Sequence, residues 1–213
     1  MTIELLNVDC MEYMAEQPDN AFDLAIVDPP YGIGIDGQKK QQSNKNPKHN
    51  RRHHEKKGWD NKIPDASYFR ELERVSKEQI IWGGNYFVEH LVRGTKGLIY
   101  WDKGQDGLTM SDGELAYSSF NRPLRRYTIN RSQLLRDGTI HPTQKPVKLY
   151  KWLLANYASN DMWILDTHLG SGSSAIAAHY FGCDFVGCEI DPDYYRAAKE
   201  RFGRETAQLA LFG

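Results

Sequence analysis

The sequence lacks several features that would place the protein in a special class. No apolar run approaches the ~20 residues of a membrane-spanning helix, and no signal-peptide pattern stands at its start. Its three cysteines, Cys10, Cys183 and Cys188, have no spacing typical of a metal site. We therefore expect a cytoplasmic protein with no membrane segment and no metal. The net charge of −1 by itself indicates no polyanionic partner.

What the sequence does have is the composition of one globular domain over 1–213, with 40% hydrophobic and 26% charged residues. Apolar runs alternate with amphipathic segments, which predicts an α/β fold around a largely parallel sheet. The predicted strands cover 3–8, 22–27, 79–84, 97–103, 114–120, 162–166 and 183–190. The predicted helices cover 9–17, 66–76, 146–158, 174–182 and 191–202.

Positive charge is concentrated in one segment. Residues 36–57 hold eight Lys or Arg residues against two acidic residues, a local charge of +6. Such a run is usually a solvated loop, and we predict a mobile basic loop over 33–62. The functional interpretation is a clamp on phosphates. The candidate DNA contacts in this loop are Lys39, Lys40, Lys48, Arg51, Arg52 and Lys56.

A glycine-containing loop indicates a ligand site. The stretch ILDTHLGSGSSAIAA reads as a strand that ends at Asp166, a Gly-Ser-Gly loop and the start of a helix. Glycines let a ligand approach the backbone, and the helix N-terminus offers free N–H groups. The next strand ends near Glu189, where an acid can hold both hydroxyls of a ribose. The alternative is an ordinary strand-to-helix turn, but the combination predicts a nucleoside ligand, and S-adenosylmethionine fits better than a dinucleotide.

A second predicted strand, FDLAIV, ends in the motif DPPY at 28–31. Two consecutive prolines cannot sit inside a helix or a central strand, so the strand must stop there. In open α/β sheets, ligands bind outside the carboxyl ends of the strands. If both strands belong to one parallel sheet, the loops that begin at Asp28 and Asp166 share one crevice although they are 138 residues apart.

Three motifs together resemble the exocyclic-amine DNA methyltransferases. They are DPPY, HPTQKP at 141–146 and the glycine loop, and their order along the chain is the circularly permuted order of the beta class. GWD at 58–60 and GGNYF at 83–87 also resemble family stretches. The resemblance covers nearly the whole chain. It implies S-adenosylmethionine as cofactor, DNA as substrate and a doubly wound Rossmann-like sheet, mostly parallel with an antiparallel edge strand.

The resemblance also implies roles for individual residues. Asp28 and the Pro29 carbonyl would accept hydrogen bonds from the exocyclic amine of a flipped base and make its nitrogen more nucleophilic. Pro30 would stiffen the loop, and Tyr31 would stack on the base. The implied cofactor-binding residues are Asp9, Cys10, Asp28, Thr143, Lys145, Asp166, Thr167, His168, Gly170, Ser171, Gly172, Ser173 and Glu189.

The leading hypothesis is an adenine-N6 DNA methyltransferase. Cytosine-N4 transfer is the alternative within the class, because both bases present an exocyclic amine, but the cytosine enzymes more often carry Ser in place of the Asp of DPPY. Cytosine C5 methylation uses a nucleophilic Cys after a Pro, and no Cys follows a Pro here. A further alternative is a catalytically silent relative that binds DNA or a sliding clamp.

Two segments depart from the family pattern. Thr167 and His168 stand where the family usually has Pro-Phe, so His168 is expected either to pack near the cofactor or to be a core histidine. Only the 20 positions of 121–140 are left for target recognition. This predicts a loop or hairpin and a short, permissive target sequence. Candidate DNA contacts in this segment are Arg122, Arg125 and Arg126.

The C-terminal tail, 206–213, ends in QLALFG. It resembles the peptide by which bacterial DNA-processing proteins bind the replication sliding clamp. The anchors of such a peptide would be Gln208, Leu209, Leu211 and Phe212. The alternative is a tail that folds back on its own core. Since many relatives are dimers, the resemblance also makes a homodimer an expectation.

Overall fold

A computed structural model describes residues 1–36, 57–91, 95–105, 107, 111–129, 140–141 and 143–207. Over these ranges the chain forms one eight-stranded sheet and five α-helices. The strands are β1 (Ile3–Leu6), β2 (Phe22–Val27), β3 (Ser76–Trp82), β4 (Ile99–Asp102), β5 (Gly113–Ser118), β6 (Arg125–Thr128), β7 (Trp163–Asp166) and β8 (Asp184–Cys188). The helices are α1 (Cys10–Ala15), α2 (Ala66–Val75), α3 (Val147–Tyr157), α4 (Ser173–Phe181) and α5 (Pro192–Ala207). None of these helices is long and apolar enough to cross a membrane.

The sheet has the strand order β1-β8-β7-β2-β3-β5-β4-β6. Of the eight described strands, seven run parallel, and β5 is antiparallel to both of its neighbours. This confirms the predicted α/β class and the mostly parallel sheet with one antiparallel strand. The prediction that this strand lies at the edge is wrong. β4 pairs with the outer side of β5, and β6 extends the sheet beyond β4.

Helices cover both faces of the sheet, as a doubly wound fold requires. In β2, Leu24 and Ile26 face an apolar cluster that includes side chains of α3 and α4. Ala25 and Val27 face a second cluster that includes side chains of α1 and α2. Successive strand residues point to opposite faces, so a strand buried on both faces needs an uninterrupted apolar run such as FDLAIV.

Two elements differ from the sequence prediction. β3 begins at Ser76, directly after α2, rather than at residue 79. The polar Lys77 and Glu78 hide this part of the strand in the sequence, but its pairing with β2 already begins at Ser76. β6 lies within 121–140, where the sequence predicts a loop or hairpin. Its residues are mostly exposed and lack apolar alternation, and the strand is defined by its pairing with β4.

One edge of the sheet collects residues from distant parts of the chain. The parallel strands β2, β3 and β4 end there, immediately before Asp28, Gly83 and Lys103. Because β5 runs in the opposite direction, its first residues, Gly113 and Glu114, lie at the same edge. The carboxyl edge of the sheet is therefore where the candidate site must be built.

Candidate functional site

The two loops singled out in the sequence meet at this edge. β2 and β7 are neighbours, with Ala25 paired to Leu165. Asp28 and Asp166 therefore leave the sheet at the same end of adjacent strands. β8, whose end precedes Glu189, is the next strand in the sheet. The structure thus confirms that adjacent parallel strands carry the two loops, and the crevice shared by both loops stays a prediction.

Asp28 lies in a network of buried polar side chains. Its Oδ1 accepts a hydrogen bond from the Tyr31 hydroxyl at 2.6 Å, and its Oδ2 forms an ion pair with Lys145 Nζ at 2.5 Å. Lys145 is only 3% exposed, and its Nζ also donates to the Tyr31 hydroxyl at 3.2 Å. Both carboxylate oxygens of Asp28 are therefore engaged by side chains of the chain itself.

A second carboxylate, Glu114 of β5, extends this network. Its Oε2 lies 3.1 Å from Lys145 Nζ and 3.4 Å from the Tyr31 hydroxyl. Its Oε1 lies 2.7 Å from Lys103 Nζ. The four charged side chains thus alternate in sign in the order Asp28, Lys145, Glu114 and Lys103. Such alternation compensates charges that the protein withdraws from water.

The charge state of the network follows from burial and from these contacts. Burial raises the pKa of Asp28, and Lys145 opposes part of that rise. Burial also acts on Glu114, but Lys145 and Lys103 outweigh it and lower the pKa of Glu114 to about 2. The pKa of Lys145 is raised, because the attraction of its two carboxylate partners outweighs burial. Lys145 and Glu114 are therefore both charged at neutral pH.

These side chains line a cavity of about 770 Å³. Its walls come from the DPPY loop, the end of β4, the start of β5 and the HPTQKP segment. The GWD and GGNYF stretches line the same cavity, through Trp59, Asp60, Gly83, Asn85 and Tyr86. A concave site of this volume, apolar in part and with a few converging charged groups, is typical of a binding pocket for a small molecule or a single base.

Tyr31 is held tightly inside the cavity. Tyr86 stacks on its ring with a centroid distance of 5.0 Å, and Phe87 contacts it edge-on at 6.0 Å. Gly83 has a φ of 76°, and a Cβ at this position would lie 2.3 Å from the Tyr31 ring. Because Tyr86 already occupies one face of the ring, the stacking of Tyr31 on a flipped base stays a prediction. Tyr86 is 42% exposed and is the outer ring of the pair.

The loop after β7 is organised by buried hydrogen bonds. Asp166 is 1% exposed and accepts from the His168 backbone N–H at 3.0 Å and from the Ser174 hydroxyl at 2.6 Å. Burial raises the pKa of Asp166 to about 7. On the other side of the loop, the buried Arg201 of α5 donates to the Ser171 carbonyl at 3.0 Å. The loop is therefore fixed from both the sheet and the helix layer.

The same loop and Glu189 form a cradle that fits a nucleoside cofactor. The Glu189 carboxylate accepts from the backbone N–H groups of Gly170 and Asp191, both at 2.9 Å. It keeps further acceptor positions that ribose hydroxyls could use. Gly170 has a φ of 52°, and the nearest atom that a Cβ there would meet belongs to His141 at 3.8 Å. A Cβ at this position would be in ordinary van der Waals contact with His141, so the HPTQKP segment packs beside the loop.

Thr167 and His168 are packed against α2. Thr167 Oγ1 lies 2.6 Å from the Tyr68 hydroxyl and 2.9 Å from His168 Nδ1. The His168 ring contacts the Tyr68 ring edge-on at 5.4 Å. Burial lowers the pKa of His168 to about 4, so the ring is neutral at neutral pH. Where the family usually has Pro-Phe, this chain therefore has a neutral, packed histidine ring. A contact of His168 with the cofactor stays a prediction.

The remaining cofactor-binding candidates also lie at the carboxyl edge. Asp9 follows β1 and caps α1 by accepting from the Met11 N–H at 2.7 Å. Burial raises the pKa of the neighbouring Cys10 to about 12, which keeps its thiol protonated. In the HPTQKP segment, the Thr143 hydroxyl lies 3.0 Å from His141 Nδ1.

The predicted basic loop is anchored where the structure describes its ends. The Asp60 carboxylate accepts from the backbone N–H groups of Gly32 and Ile35 at 2.8 and 2.9 Å. Lys57 Nζ forms an ion pair with Asp191 at 2.7 Å, next to the cofactor cradle. The described residues at both ends of the predicted loop are therefore held by hydrogen bonds and an ion pair.

The predicted DNA contacts are described only in part. Arg122 precedes β6 at the amino end of the parallel strands, and its guanidinium donates to the Asn156 carbonyl at 2.5 Å. Arg125 and Arg126 are consecutive in β6, so their side chains point to opposite faces of the sheet. The structure does not bring these three arginines to the Asp28 cavity as one patch. Outside the described residues lie Lys39, Lys40, Lys48, Arg51, Arg52, Lys56 and the tail anchors Gln208, Leu209, Leu211 and Phe212.

The sequence interpretation missed Lys103, Glu114 and Tyr86. Lys103 directly follows a strand, so the rule that singled out Asp28 could have found it. Glu114 begins a strand, and it reaches the carboxyl edge only because β5 is antiparallel, which the apolar pattern does not reveal. Tyr86 lies in the GGNYF stretch that resembles the family, but its partner ring could be identified only from the structure.

Comparison with known proteins identifies a family whose model matches this chain. A family model for N6/N4 methyltransferases, described as DNA methylase, matches residues 81–200, more than half of the chain. The chain is 27% identical to "Putative methylase YubD" of Escherichia coli K12, over 91% of this chain and 87% of that protein.

Two solved structures share the fold. The M1.HpyAVI complex with SAM superposes with a TM-score of 0.65 at 17% identity and covers 94% of this chain and 100% of its own. The cytosine-N4-specific PvuII DNA methyltransferase superposes with a TM-score of 0.60 at 14% identity, covering 93% of this chain and 85% of its own. These similarities support the Rossmann-like methyltransferase architecture that the motifs predict.

Proposed function

Because the chain belongs to the N6/N4 family of DNA methylases, we propose that it transfers a methyl group from S-adenosylmethionine to the N6 amine of an adenine flipped out of DNA. The observation that carries this proposal is the position of Asp28. Its carboxylate lies in a cavity at the carboxyl end of β2, beside the strand that leads into the glycine loop. On this proposal, Asp28 and the glycine loop border one crevice, which the adjacency of their strands supports.

The DPPY loop supplies what a weakly nucleophilic amine needs. The lone pair of adenine N6 is delocalised into the ring, and hydrogen bonds accepted from both of its N–H groups favour a more tetrahedral nitrogen. Asp28 and the carbonyl of the buried Pro29 are the two acceptors, and the fixed proline φ preorganises them. When bound, S-adenosylmethionine would supply a methyl group on a positively charged sulfur. Transfer of that methyl group to the amine would leave a neutral sulfur on the cofactor, and Asp28 or water would take the proton that the amine releases.

The cofactor would be held by the second half of the crevice. Glu189 would bind the ribose hydroxyls, and Asp9 and Cys10 would border the adenine of the cofactor. Gly170, Ser171, Gly172 and Ser173 would line the methionine part together with Asp166, Thr167 and His168. Thr143 and Lys145 of HPTQKP would approach the same part from the opposite wall. The support for this assignment is the carboxylate of Glu189, which two backbone N–H donors fix next to the glycine loop.

Adenine is favoured over cytosine by the Asp of the DPPY motif, and cytosine-N4 transfer is the alternative that the same pocket chemistry allows. The test uses unmethylated DNA of mixed sequence, purified enzyme and methyl-labelled S-adenosylmethionine, followed by nucleoside analysis. We expect labelled N6-methyladenine. Labelled N4-methylcytosine would replace the proposal by the alternative, and cofactor binding without any labelled nucleoside would indicate a catalytically silent protein.

The control variants are Asp28→Ala and Glu200→Ala. Removing the preorganised acceptor should lower kcat by about 100-fold to 1,000-fold. Glu200 is an exposed acid of α5, so its substitution makes the same change in charge away from the cavity and should leave labelling unchanged. Equal labelling by both variants would mean that Asp28 does not engage the reacting amine.

We also propose that the chain reads a short, permissive target sequence through 121–140, with the basic loop contacting phosphates, and that the tail binds a sliding clamp. Sequencing of methylated DNA tests the first idea, which fails if a single long site is modified. A labelled peptide of residues 206–213 tests the second, which fails if the peptide has no affinity for a sliding clamp. Sedimentation would show whether the chain forms the expected homodimer.

A further inference from the structure

We propose that Glu114 is a positioning residue whose carboxylate holds the Lys145 ammonium when the target amine binds to Asp28. In this arrangement Asp28 exchanges its internal partner for the amine, and Lys145 stays paired with Glu114. The inference rests on the proposed function, since it concerns the residue that grips the amine. It adds a step that the DPPY motif alone does not contain, the release of a counter-ion inside the pocket.

The need for a release step follows from the contacts of Asp28. Its two oxygens already accept from Tyr31 at 2.6 Å and from Lys145 at 2.5 Å. An ammonium at ion-pair distance occupies the side of the carboxylate it faces and lowers its strength as an acceptor for a neutral amine. An amine entering this cavity must therefore displace Lys145 or share the carboxylate with it. Displacement gives Asp28 its full strength as an acceptor.

Lys145 cannot simply move into water, because its side chain is 2% exposed. An ammonium left unpaired in such a position is strongly disfavoured. Glu114 removes this obstacle, because its Oε2 is already 3.1 Å from Lys145 Nζ. Lys103 holds the other Glu114 oxygen at 2.7 Å and keeps the carboxylate in place. A small movement of the ammonium towards Glu114 is thus enough to free Asp28.

Glu114 is also well suited to remain fixed while Lys145 moves. It stands on β5, where it is paired in register with Trp101 of β4, rather than on a loop. The preceding Gly113 packs so closely that a Cβ would lie 2.2 Å from the Tyr100 ring. The backbone that carries Glu114 therefore has little freedom, which is the property expected of a positioning element.

The test is a double-substitution cycle with Glu114→Gln and Lys145→Met. It is measured as single-turnover methyl transfer to unmethylated DNA at pH 9, with saturating cofactor. In the wild-type background, Glu114→Gln leaves Lys145 with Asp28 as its remaining carboxylate partner and should slow transfer at least about tenfold, the size expected for coupled neighbours. In the Lys145→Met background the same substitution should change the rate less than about threefold.

A pH–rate profile serves as a second test, and its interpretation has to include the other titratable groups near Asp28. Groups whose charge or hydrogen bonding acts on Asp28, or on which Asp28 acts, are Tyr31, Lys145, Glu114, Asp166, Tyr68 and Tyr150. Lys145→Met removes the positive neighbour from this set, so the acid limb of its pH–rate profile should move to higher pH. Glu114→Gln should instead remain slow across pH 7–9, because Lys145 stays on Asp28. A merely structural role for Glu114 would not produce these two different profiles.

The outcomes separate this proposal from the proposed function. If wild-type enzyme labels no DNA, the proposed function fails. If wild type labels DNA but Glu114→Gln costs the same factor with and without Lys145, Glu114 does not act through Lys145 and the positioning role is overturned. If Glu114→Gln alone does not fold, the comparison of Lys145→Met with the double variant still decides, because the proposal requires nearly equal rates for these two proteins. Glu114→Asp, which keeps the charge, should recover part of the rate.

Discussion

Replacing Asp166 by Asn should make the protein more stable at neutral pH. Asp166 is 1% exposed, and its carboxylate has hydrogen bonds from the His168 N–H and the Ser174 hydroxyl. An Asn side chain has the same shape, its oxygen can accept from the His168 N–H, and the Ser174 hydroxyl can turn to accept from its amide. The substitution therefore removes a buried charge while it preserves the hydrogen bonds.

The magnitude follows from the pKa of the group in the two states. Burial raises the pKa of Asp166 from its ordinary value of 3.8 to about 7. At 1.36 kcal/mol per pKa unit, this difference corresponds to about 4 kcal/mol of stability lost when the folded protein must ionise the group. The loss is absent below pH 3.8, grows as pH rises, and is complete above pH 7. It does not arise in Asp166→Asn.

The assay is urea unfolding of both proteins from pH 5 to pH 8. The free energy of unfolding of Asp166→Asn minus that of the wild type should increase by about 2.5 kcal/mol over this range. A constant offset from altered hydrogen bonds would shift the whole curve and leave this increase unchanged. A difference that stays flat, or that falls with pH, would refute the claim that Asp166 is buried as a charge without a compensating cation.

Asp23→Asn is the matched control, because its pKa shift has the opposite sign. Burial acts on Asp23, but its hydrogen bonds from Lys77 and from the Trp163 N–H outweigh it and lower the pKa. A lowered pKa means that the ionised carboxylate stabilises the fold at every pH above the pKa of the group in the unfolded state. This stability is lost as pH falls through the pKa of the folded state. The stability difference between Asp23→Asn and the wild type should therefore be flat from pH 5 to pH 8 and change only in more acidic solution.

Gly83→Ala should cost about 1–2 kcal/mol through its left-handed φ and also displace Tyr31, so transfer should fall about 100-fold. Gly107→Ala shares the positive φ, but no residue that the structure describes would lie within 4 Å of its Cβ, so it should lose stability alone. Equal activities of the two variants would contradict the contact between residue 83 and Tyr31. Arg201→Met should lower the free energy of unfolding, measured in urea, by about 3 kcal/mol. The reason is that the substitution removes the donor to the Ser171 carbonyl and so leaves that loop without its contact to the helix. A change below about 0.5 kcal/mol, the value for surface substitutions, would refute this.

Much of the fold and part of the site could be predicted because they follow from local rules. FDLAIV must be buried on both faces, and two prolines must end it, so Asp28 had to stand at a strand terminus. Strand, glycine loop, helix and Glu189 similarly define a cradle from spacing alone. These residues are identified by what directly precedes and follows them, and the structure places Asp28, Asp166 and Glu189 at one edge of one sheet.

The rest could not be predicted because it depends on strand direction and on cross-chain contact. Whether Glu114 reaches the cavity or the opposite edge is decided by the antiparallel direction of β5, and the same residue in a parallel strand would lie at the far end. The pairing of Lys145 with Asp28 joins residues 117 positions apart in the sequence. The resemblance implied a place for Lys145 near the cofactor, but its ion pair with the carboxylate of the DPPY motif could be identified only from the structure.

Buried charge is compensated differently on the two sides of the crevice. On the DPPY side, Asp28 is matched by Lys145 and Glu114 by Lys103, so the negative groups are neutralised by the chain itself. On the glycine-loop side, the described contacts of Asp166 are hydrogen bonds from neutral donors, and its pKa rises. A positively charged ligand beside Asp166 would supply the missing compensation and would favour the ionised carboxylate. The stability that Asp166→Asn is expected to gain therefore measures the cost of this uncompensated charge, which on the proposed function a cationic cofactor would offset.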